Sequence, residues 1–346
     1  MPVDAGSMEA PSKPQHGATG PVPFKDVIGD AMAQRSSPEE EEYAGVVSSL
    51  PSYPKLRLRH YQGMWLMEYT LPGIMAIQRS FVPRRHGDVV LASPGKCGTT
   101  WLKALAFAVL ARGAYSPTSD RHPLLRLNPH DCVPFMEGAI AEGWGGKIDE
   151  LPSPRLMSTH MQHAALPKSI ADEPGCKVVY ICREPKDILV SAWHFFRIIE
   201  PDLSFQEVFE AACDGKFLTG PIWDHIIGYW NACKANPEKV LFLVYEDLLR
   251  DPANVVRKLA DFLGQPFSST EEEAGLVTDI VRLCSFENLK SLEVNKMGEA
   301  SFAFPNASYF RKGKAGDWKI HMTPEMVECF DTIVKEKMHG SGLVFA

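Results

Sequence analysis

No long apolar run exists in this chain: the longest uninterrupted stretch, Ala104 to Ala111, is eight residues. A bilayer-spanning helix needs roughly 20, so no transmembrane segment is expected. The eight cysteines, at positions 97, 132, 176, 182, 213, 233, 284 and 329, include no C-x-x-C pair. That spacing argues against a zinc site or a thioredoxin-like motif, and buried, reduced thiols are expected instead. Basic charge is also in short supply, with 36 Lys and Arg against 43 Asp and Glu and a formal net charge of −7. A broad nucleic-acid or anionic-membrane surface is therefore disfavoured, and any anion must be bound in a pocket. The first twenty residues lack the apolar core of about 7–15 residues that a secretory signal requires and are not Arg-rich like a transit peptide, so a cytoplasmic setting is expected. No repeat occurs at a solenoid or propeller period.

What is present is ordinary globular material. The 346 residues are 45% hydrophobic and 23% charged, which excludes a wholly disordered, collagenous or coiled-coil chain. Residues 1 to about 50 are rich in Pro, Gly, Ser and Ala and close with the acidic run Glu39 to Glu42. They are expected to form a mobile tail, leaving 51–346 as a single domain. Short apolar runs at Asp88–Ser93, Pro154–Thr159, Cys176–Arg183 and Lys239–Tyr245 have the pattern of buried strands. Helix-like segments follow at Thr99–Arg112, Pro185–Ile199 and Asp247–Leu263. The alternation implies an α/β fold, a central, mainly parallel sheet flanked by helices, with ligands beyond the carboxyl ends of its strands.

Between the first strand and its helix lies Pro94-Gly95-Lys96-Cys97-Gly98-Thr99-Thr100-Trp101. Backbone N–H groups at a helix start attract phosphate, and glycine permits close approach. Lys96 adds a mobile cation, and Thr99 and Thr100 add hydroxyls. The loop is P-loop-like without being a nucleoside-triphosphate loop. G-x-x-x-x-G-K-[ST] would require Gly at 90 and Ser or Thr at 97, where this chain has Val90 and Cys97. Phosphate binding with no obligatory metal follows, because the hydroxyl that holds magnesium is missing.

A second anion site is suggested at Arg183, which ends the apolar run Cys176–Cys182 just before Pro185, with Ser191 eight residues further on. Near the carboxyl end, Arg311, Lys312, Lys314 and Lys319 are spaced among Gly313 and Gly316. Such a segment is either solvated surface or a flap over a polyanion.

Taken together, these segments resemble the soluble sulfotransferases, most closely the plant cytosolic type. GKCGTTW is similar to that family's P-K-x-G-T-T-W phosphosulfate loop, PRLMSTH to the strand carrying its catalytic histidine, VVYICREPKDILVSAWHFF to its 3′-phosphate region, and RKGKAGDWK to its flap. The resemblance implies transfer of a sulfuryl group from 3′-phosphoadenosine 5′-phosphosulfate (PAPS) to a hydroxyl of a small acceptor: phenolic, flavonoid, steroid-like or hormone. It implies that Lys96, Cys97, Gly98, Thr99, Thr100 and Trp101 hold the phosphosulfate end and adenine, and that Arg183 and Ser191 hold the 3′-phosphate. Tyr245 and Phe286 then contact adenine, and Arg311, Lys312 and Gly313 close over the 3′-phosphate. His160 matches the general base, and Lys96 is the cation expected to meet the leaving phosphate oxygen. Lys319 to Glu328 resembles the family's dimer motif, the local alternative being a helix start capped by Thr323 with Pro324 in its first turn.

Three positions depart from the family pattern. Gly95 stands where proline usually precedes the loop lysine, and Gln162 and His163 alter the segment after the histidine, expected to be an acceptor wall. These departures motivate a rival reading, a catalytically idle nucleotide or hormone binder of the same fold. Intact Lys96 and His160 argue for turnover.

Overall fold

The computed structural model describes residues 20–29, 37–84, 87–300 and 304–345. Strands β1 (Asp88–Ala92), β2 (Arg155–Thr159), β3 (Cys176–Cys182) and β4 (Val240–Val244) form a parallel sheet in the order β2-β1-β3-β4. Val90 is paired with Met157 on one side and Val178 on the other, and Tyr180 with Phe242. Each of the four runs read as strands from the sequence lies here, trimmed by a residue or two at its ends. Their near-continuous hydrophobicity has a structural cause, since both faces of the sheet are covered. Val90, Ala92 and Tyr180 enter one core, while Val89, Leu91, Val179 and Ile181 enter the other.

The helices that matter for the site are α1 (Phe24–Ile28), α2 (Pro38–Ser49), α3 (Leu71–Ser80), α4 (Thr99–Ala111), α5 (Pro185–Phe196), α6 (Phe205–Cys213), α7 (Trp318–His321) and α8 (Pro324–Lys337). From Leu102 to Ala111 every residue of α4 is buried, as expected of a helix apolar all round. Helix α5 packs on the opposite face through Ile188 and Leu189. At the base of the sheet, Asp88 and Arg155 face each other in register. Both are fully buried, and the Arg155 guanidinium donates to Asp88 at 2.9 and 2.5 Å.

The chain passes from β1 to β2 on one side, then crosses to β3 on the other. This reversal opens a crevice at the carboxyl end of β1, the place where open α/β sheets bind ligands. A hairpin of Leu58–Tyr61 and Met64–Met67 borders it, turned at Gln62 and Gly63 with φ of 50° and 81°. Positive φ at both central residues is the requirement of a tight hairpin turn.

Two expectations are corrected here. The segment taken as a mobile tail contains α1 and α2. Ser37 caps α2 by accepting from Glu40 N at 3.0 Å, Pro38 occupies its first turn, and Glu42 pairs with Arg79 of α3. Helix α1 is held by Asp26, which accepts from Arg126 at 3.0 Å. The rest of that tail, 1–19 and 30–36, lies outside the described residues. The helix expected over Asp247–Leu263 is two, Tyr245–Arg250 and Pro252–Phe262. Pro252 cannot donate the hydrogen bond that would continue the first, and Asp251 caps the second by accepting from Asn254 N at 3.1 Å.

Candidate active site

All four strands deliver a site residue at their carboxyl ends. Ser93 follows β1, His160 follows β2, Arg183 follows β3 and Tyr245 follows β4. The last three line one cavity of about 480 Å³, together with Lys96, Gly98, Thr99, Thr100, Trp101, Ser191, Phe286, Arg311, Lys312 and Gly313. Residues separated by more than two hundred positions in the chain are thus brought to one place.

The loop after β1 turns on Lys96 (φ 71°) and Gly98 (φ 92°) and feeds directly into α4, whose first N–H groups have no side-chain cap. Those orphan donors point toward the cavity end of the helix, where an anion is favoured. Gly98 is required twice over, for its positive φ and because a Cβ there would lie 2.7 Å from the Tyr245 ring. Gly95 has another reason. Its backbone is not left-handed, but a Cβ would lie 2.4 Å from Leu218 Cδ2.

Cations converge on this loop. Burial, with Arg311 and Arg183 nearby, lowers Lys96 to a pKa of about 7, and its Nζ sits 3.8 Å from the Phe195 ring centroid. Arg183 stacks over Tyr245 at 4.7 Å and donates to Lys314 O at 2.7 Å, so it touches both the β3 end and the basic segment. Asp317 pairs with Arg311 and Lys312 at 2.5 and 2.6 Å. Asp187 of α5 fixes the end of that segment by accepting from Gly316 N at 2.7 Å and Trp318 N at 3.1 Å. Gly313 (φ +63°) lies against Phe286, where a Cβ would come within 2.5 Å of the ring.

His160 is held from several sides. Its Nδ1–H donates to Ser93 O at 2.8 Å, which fixes the tautomer and leaves Nε2 free to accept. Its backbone N–H donates to Glu137 Oε1 at 2.7 Å, and its carbonyl accepts from His225 Nε2 at 3.1 Å. Burial is the main cause of its lowered pKa, about 4, with Lys103 and Lys96 lowering it further. The imidazole is neutral at pH 7.

The chain matches the sulfotransferase domain over residues 86–342. It is 44% identical over 311 residues to cytosolic sulfotransferase 8 of Arabidopsis thaliana, covering 88% of this chain and 93% of that one. The chain belongs to the sulfotransferase family. Flavonol 3-sulfotransferase of Flaveria bidentis is 42% identical over 313 residues, 86% of this chain and 98% of that relative. A candidate steroid sulphotransferase of Arabidopsis thaliana superposes with a TM-score of 0.72 at 37% identity, over 91% of this chain and all of that one. A mouse sulfotransferase complexed with PAP superposes with a TM-score of 0.65 at 26% identity, over 82% of this chain and 95% of that one.

For a sulfotransferase, two placements differ from expectation. The Cys97 thiol is fully buried and donates to Gly95 O at 3.8 Å, so its side chain is not part of the cavity wall. Gln162 and His163 do not line the cavity either. Gln162 donates to Thr219 O at 3.2 Å, and His163 packs edge-on against Tyr229 at 5.3 Å. The strand end at His160 turns them away, so the altered sequence there does not alter the wall. Phe24 and Ile28 of α1 line it instead, with Leu66, Met67, Phe135 and Trp144.

Three further residues bordering the site were not read from the sequence. Lys103, buried on α4, donates to Val133 O at 2.9 Å and to His130 Nδ1 at 3.1 Å. His130 Nε2–H then donates to Thr100 Oγ1 at 2.9 Å, which leaves the Thr100 hydroxyl proton free for the cavity. Glu137 accepts from Thr159 Oγ1 at 2.6 Å as well as from His160 N, and burial pushes its carboxyl up to about 7. A lone lysine within an otherwise apolar helix was a legible signal for Lys103. For His130 and Glu137 there was none.

Proposed function

We propose that PAPS binds along the strand ends and that His160 activates the hydroxyl of a small acceptor for sulfuryl transfer. The observation that carries this reading is that the free Nε2 of His160 and the ammonium of Lys96 face one cavity from adjacent strand ends. When bound, PAPS supplies an activated sulfuryl group on a phosphate leaving group. The residues present fit it on three counts. Burial, with Arg311 and Arg183 adding repulsion, depresses the Lys96 pKa, and a bound polyanion offsets both. Buried Trp101 Nε1 and Arg183 Nε have no hydrogen-bond partner among the described residues. Trp101 and Tyr245 meet edge to face at 5.9 Å, and with Phe286 they offer aromatic surface for adenine.

In this assignment the loop amides of Lys96, Cys97 and Gly98, with Thr99 and Thr100, hold the 5′ end, and Lys96 meets the developing charge on the leaving oxygen. Cys97 contributes its backbone alone. Arg183, Ser191, Arg311, Lys312 and the Gly313 backbone hold the 3′-phosphate. His160 takes the acceptor proton at Nε2 while Ser93 O stabilises the imidazolium that forms. Pairing Lys96 with an anion removes one of the charges that weaken this base.

Acceptor choice follows from the wall. Phe24, Leu66, Met67, Phe135 and Trp144 make it apolar and aromatic, suiting a flat, uncharged ring system bearing a hydroxyl, such as a flavonol or steroid. The Flaveria relative, named a flavonol sulfotransferase, supports this class. We place the protein in the cytosol, in line with its Arabidopsis relatives' names, and assign a homodimer contact to Lys319–Glu328. There Thr323 caps α8 by accepting from Met326 N at 3.3 Å, and Ile320 is 75% exposed.

The test is transfer of ³⁵S from labelled PAPS, with chelator present, to a panel of phenols, flavonols, steroids and hormone hydroxyls. Wild type and His160→Ala are compared, and nucleotide affinity is followed by calorimetry. Labelled product that disappears in the variant, with nucleotide affinity unchanged, is expected. Product formed by His160→Ala at the wild-type rate overturns the base assignment, and nucleotide binding without product from any acceptor favours the idle-binder reading.

A further inference from the structure

Not all eight cysteines are the buried thiols expected from sequence. Cys97, Cys132, Cys176, Cys182 and Cys284 are buried, Cys213 and Cys233 are half-buried, and Cys329 is exposed. Cys213 is the last residue of α6, and Cys329 lies in the second turn of α8. These helices pack through Phe209 and Phe330, whose ring centroids are 6.2 Å apart. Phe209 is one turn before Cys213 on the same face of α6, and Phe330 directly follows Cys329. The seam therefore places Cys213 beside Cys329, whose sulfur is a near neighbour of the Cys213 thiol and acts on it.

We propose that Cys213 and Cys329 form a redox-modifiable pair, closed to an intramolecular disulfide by a small-molecule disulfide of the glutathione class. Exposure makes Cys329 the first to react. Its thiolate attacks the oxidant's S–S bond, forming a mixed disulfide and releasing one small thiol. Cys213 then gives up its proton and attacks the Cys329 sulfur, releasing the second. Two protein thiols lose two electrons to make one S–S bond, and the oxidant gains them as two thiols, which carry the two protons. Burial, with the adjacent Cys329 sulfur and the carboxylates of Asp214 and Glu210, pushes the Cys213 thiol up to about 12.

The location gives the bond a consequence. Helix α8 is tied to α5 by Asp331 and Lys186, and the next residue of α5, Asp187, holds the backbone of Gly316 and Trp318 at the end of the basic segment. Joining α8 to α6 therefore restrains the element that follows Arg311–Asp317. In a reducing compartment a disulfide of this kind reports oxidation rather than serving as a permanent staple.

The full-length protein is incubated at graded ratios of oxidised to reduced glutathione, then analysed by intact mass and non-reducing peptide mapping. The expected product is a monomeric chain lighter by two hydrogen atoms, with a Cys213–Cys329 linked peptide, reversed by dithiothreitol and absent from Cys213→Ser and Cys329→Ser. Its melting temperature rises by roughly 5 °C, and neither variant shows the rise. Melting of both variants in dithiothreitol, unchanged from wild type, checks that they fold. A stable glutathione adduct on Cys329 with no internal bond, or a disulfide only between chains, overturns the proposal. None of these readouts depends on sulfuryl transfer.

Discussion

Adding the nucleotide product, adenosine 3′,5′-bisphosphate, above pH 7 is expected to draw a proton onto Lys96. In the protein alone, burial and the charges of Arg311 and Arg183 hold this lysine at about 7. A bound polyanion beside it restores a value near the ordinary ~10.4. Because binding raises the pKa, the affinity from the charged lysine is fully present below pH 7 and is lost as pH climbs toward the bound value. At pH 8 about one Lys96 in ten is protonated beforehand, so uptake approaches ~0.9 proton per nucleotide. The dissociation constant should weaken about fivefold between pH 7 and 8 and about tenfold from 8 to 9. Calorimetry at pH 8 in buffers of differing ionisation enthalpy reads the uptake directly. Lys103 also titrates near 7, but it donates to Val133 O and His130 Nδ1. The Lys96→Arg variant separates the two, since arginine stays charged and should flatten the pH slope. Uptake below ~0.3 proton, or a slope that survives in Lys96→Arg, would refute this account of the loop.

Three other outcomes follow from the geometry. Gly313→Ala places a Cβ within 2.5 Å of the Phe286 ring at a φ of +63°, so titration should show nucleotide binding weakened about tenfold or more while the melting temperature barely moves. Asp88→Ala leaves the buried Arg155 guanidinium without its main carboxylate, and urea unfolding should lose about 3–5 kcal/mol with nucleotide affinity retained in the folded fraction. Because burial holds His160 near 4, the acid limb of kcat/KM should fall well below the ordinary ~6.5 of a free imidazole; a limb at 6.5 would show that His160 is not the base, or is not buried in the working enzyme.

Legibility from the sequence was uneven, and the reasons are physical. The runs that became β1 to β4 were clear because a strand covered on both faces cannot hide its hydrophobicity. Thr323 and Pro324 announced the start of α8 through local chemistry alone. Helix α2 was passed over although Ser37 and Pro38 carry a start signal, because Glu39 to Glu42 suppress any apolar period and α2 relies on packing against its neighbours. Gln162 and His163 were misplaced because sequence distance from His160 says nothing about which way the chain turns after β2.

Composition, strand and turn patterns and the ordered motifs were enough to determine an α/β fold, a glycine turn that departs from the nucleoside-triphosphate pattern at Val90 and Cys97, and the identity of Lys96, His160 and Arg183 as candidates. These are properties of short segments, set by local hydrogen bonding, charge and hydrophobic period. The tertiary structure alone decided that Ser93 O fixes the His160 tautomer, that Lys103 reaches Thr100 through His130, that α1 supplies part of the cavity wall, and that Cys213 meets Cys329. Each joins residues from different elements, and such contacts are set by how the sheet and its helices pack, which no local pattern in one chain encodes.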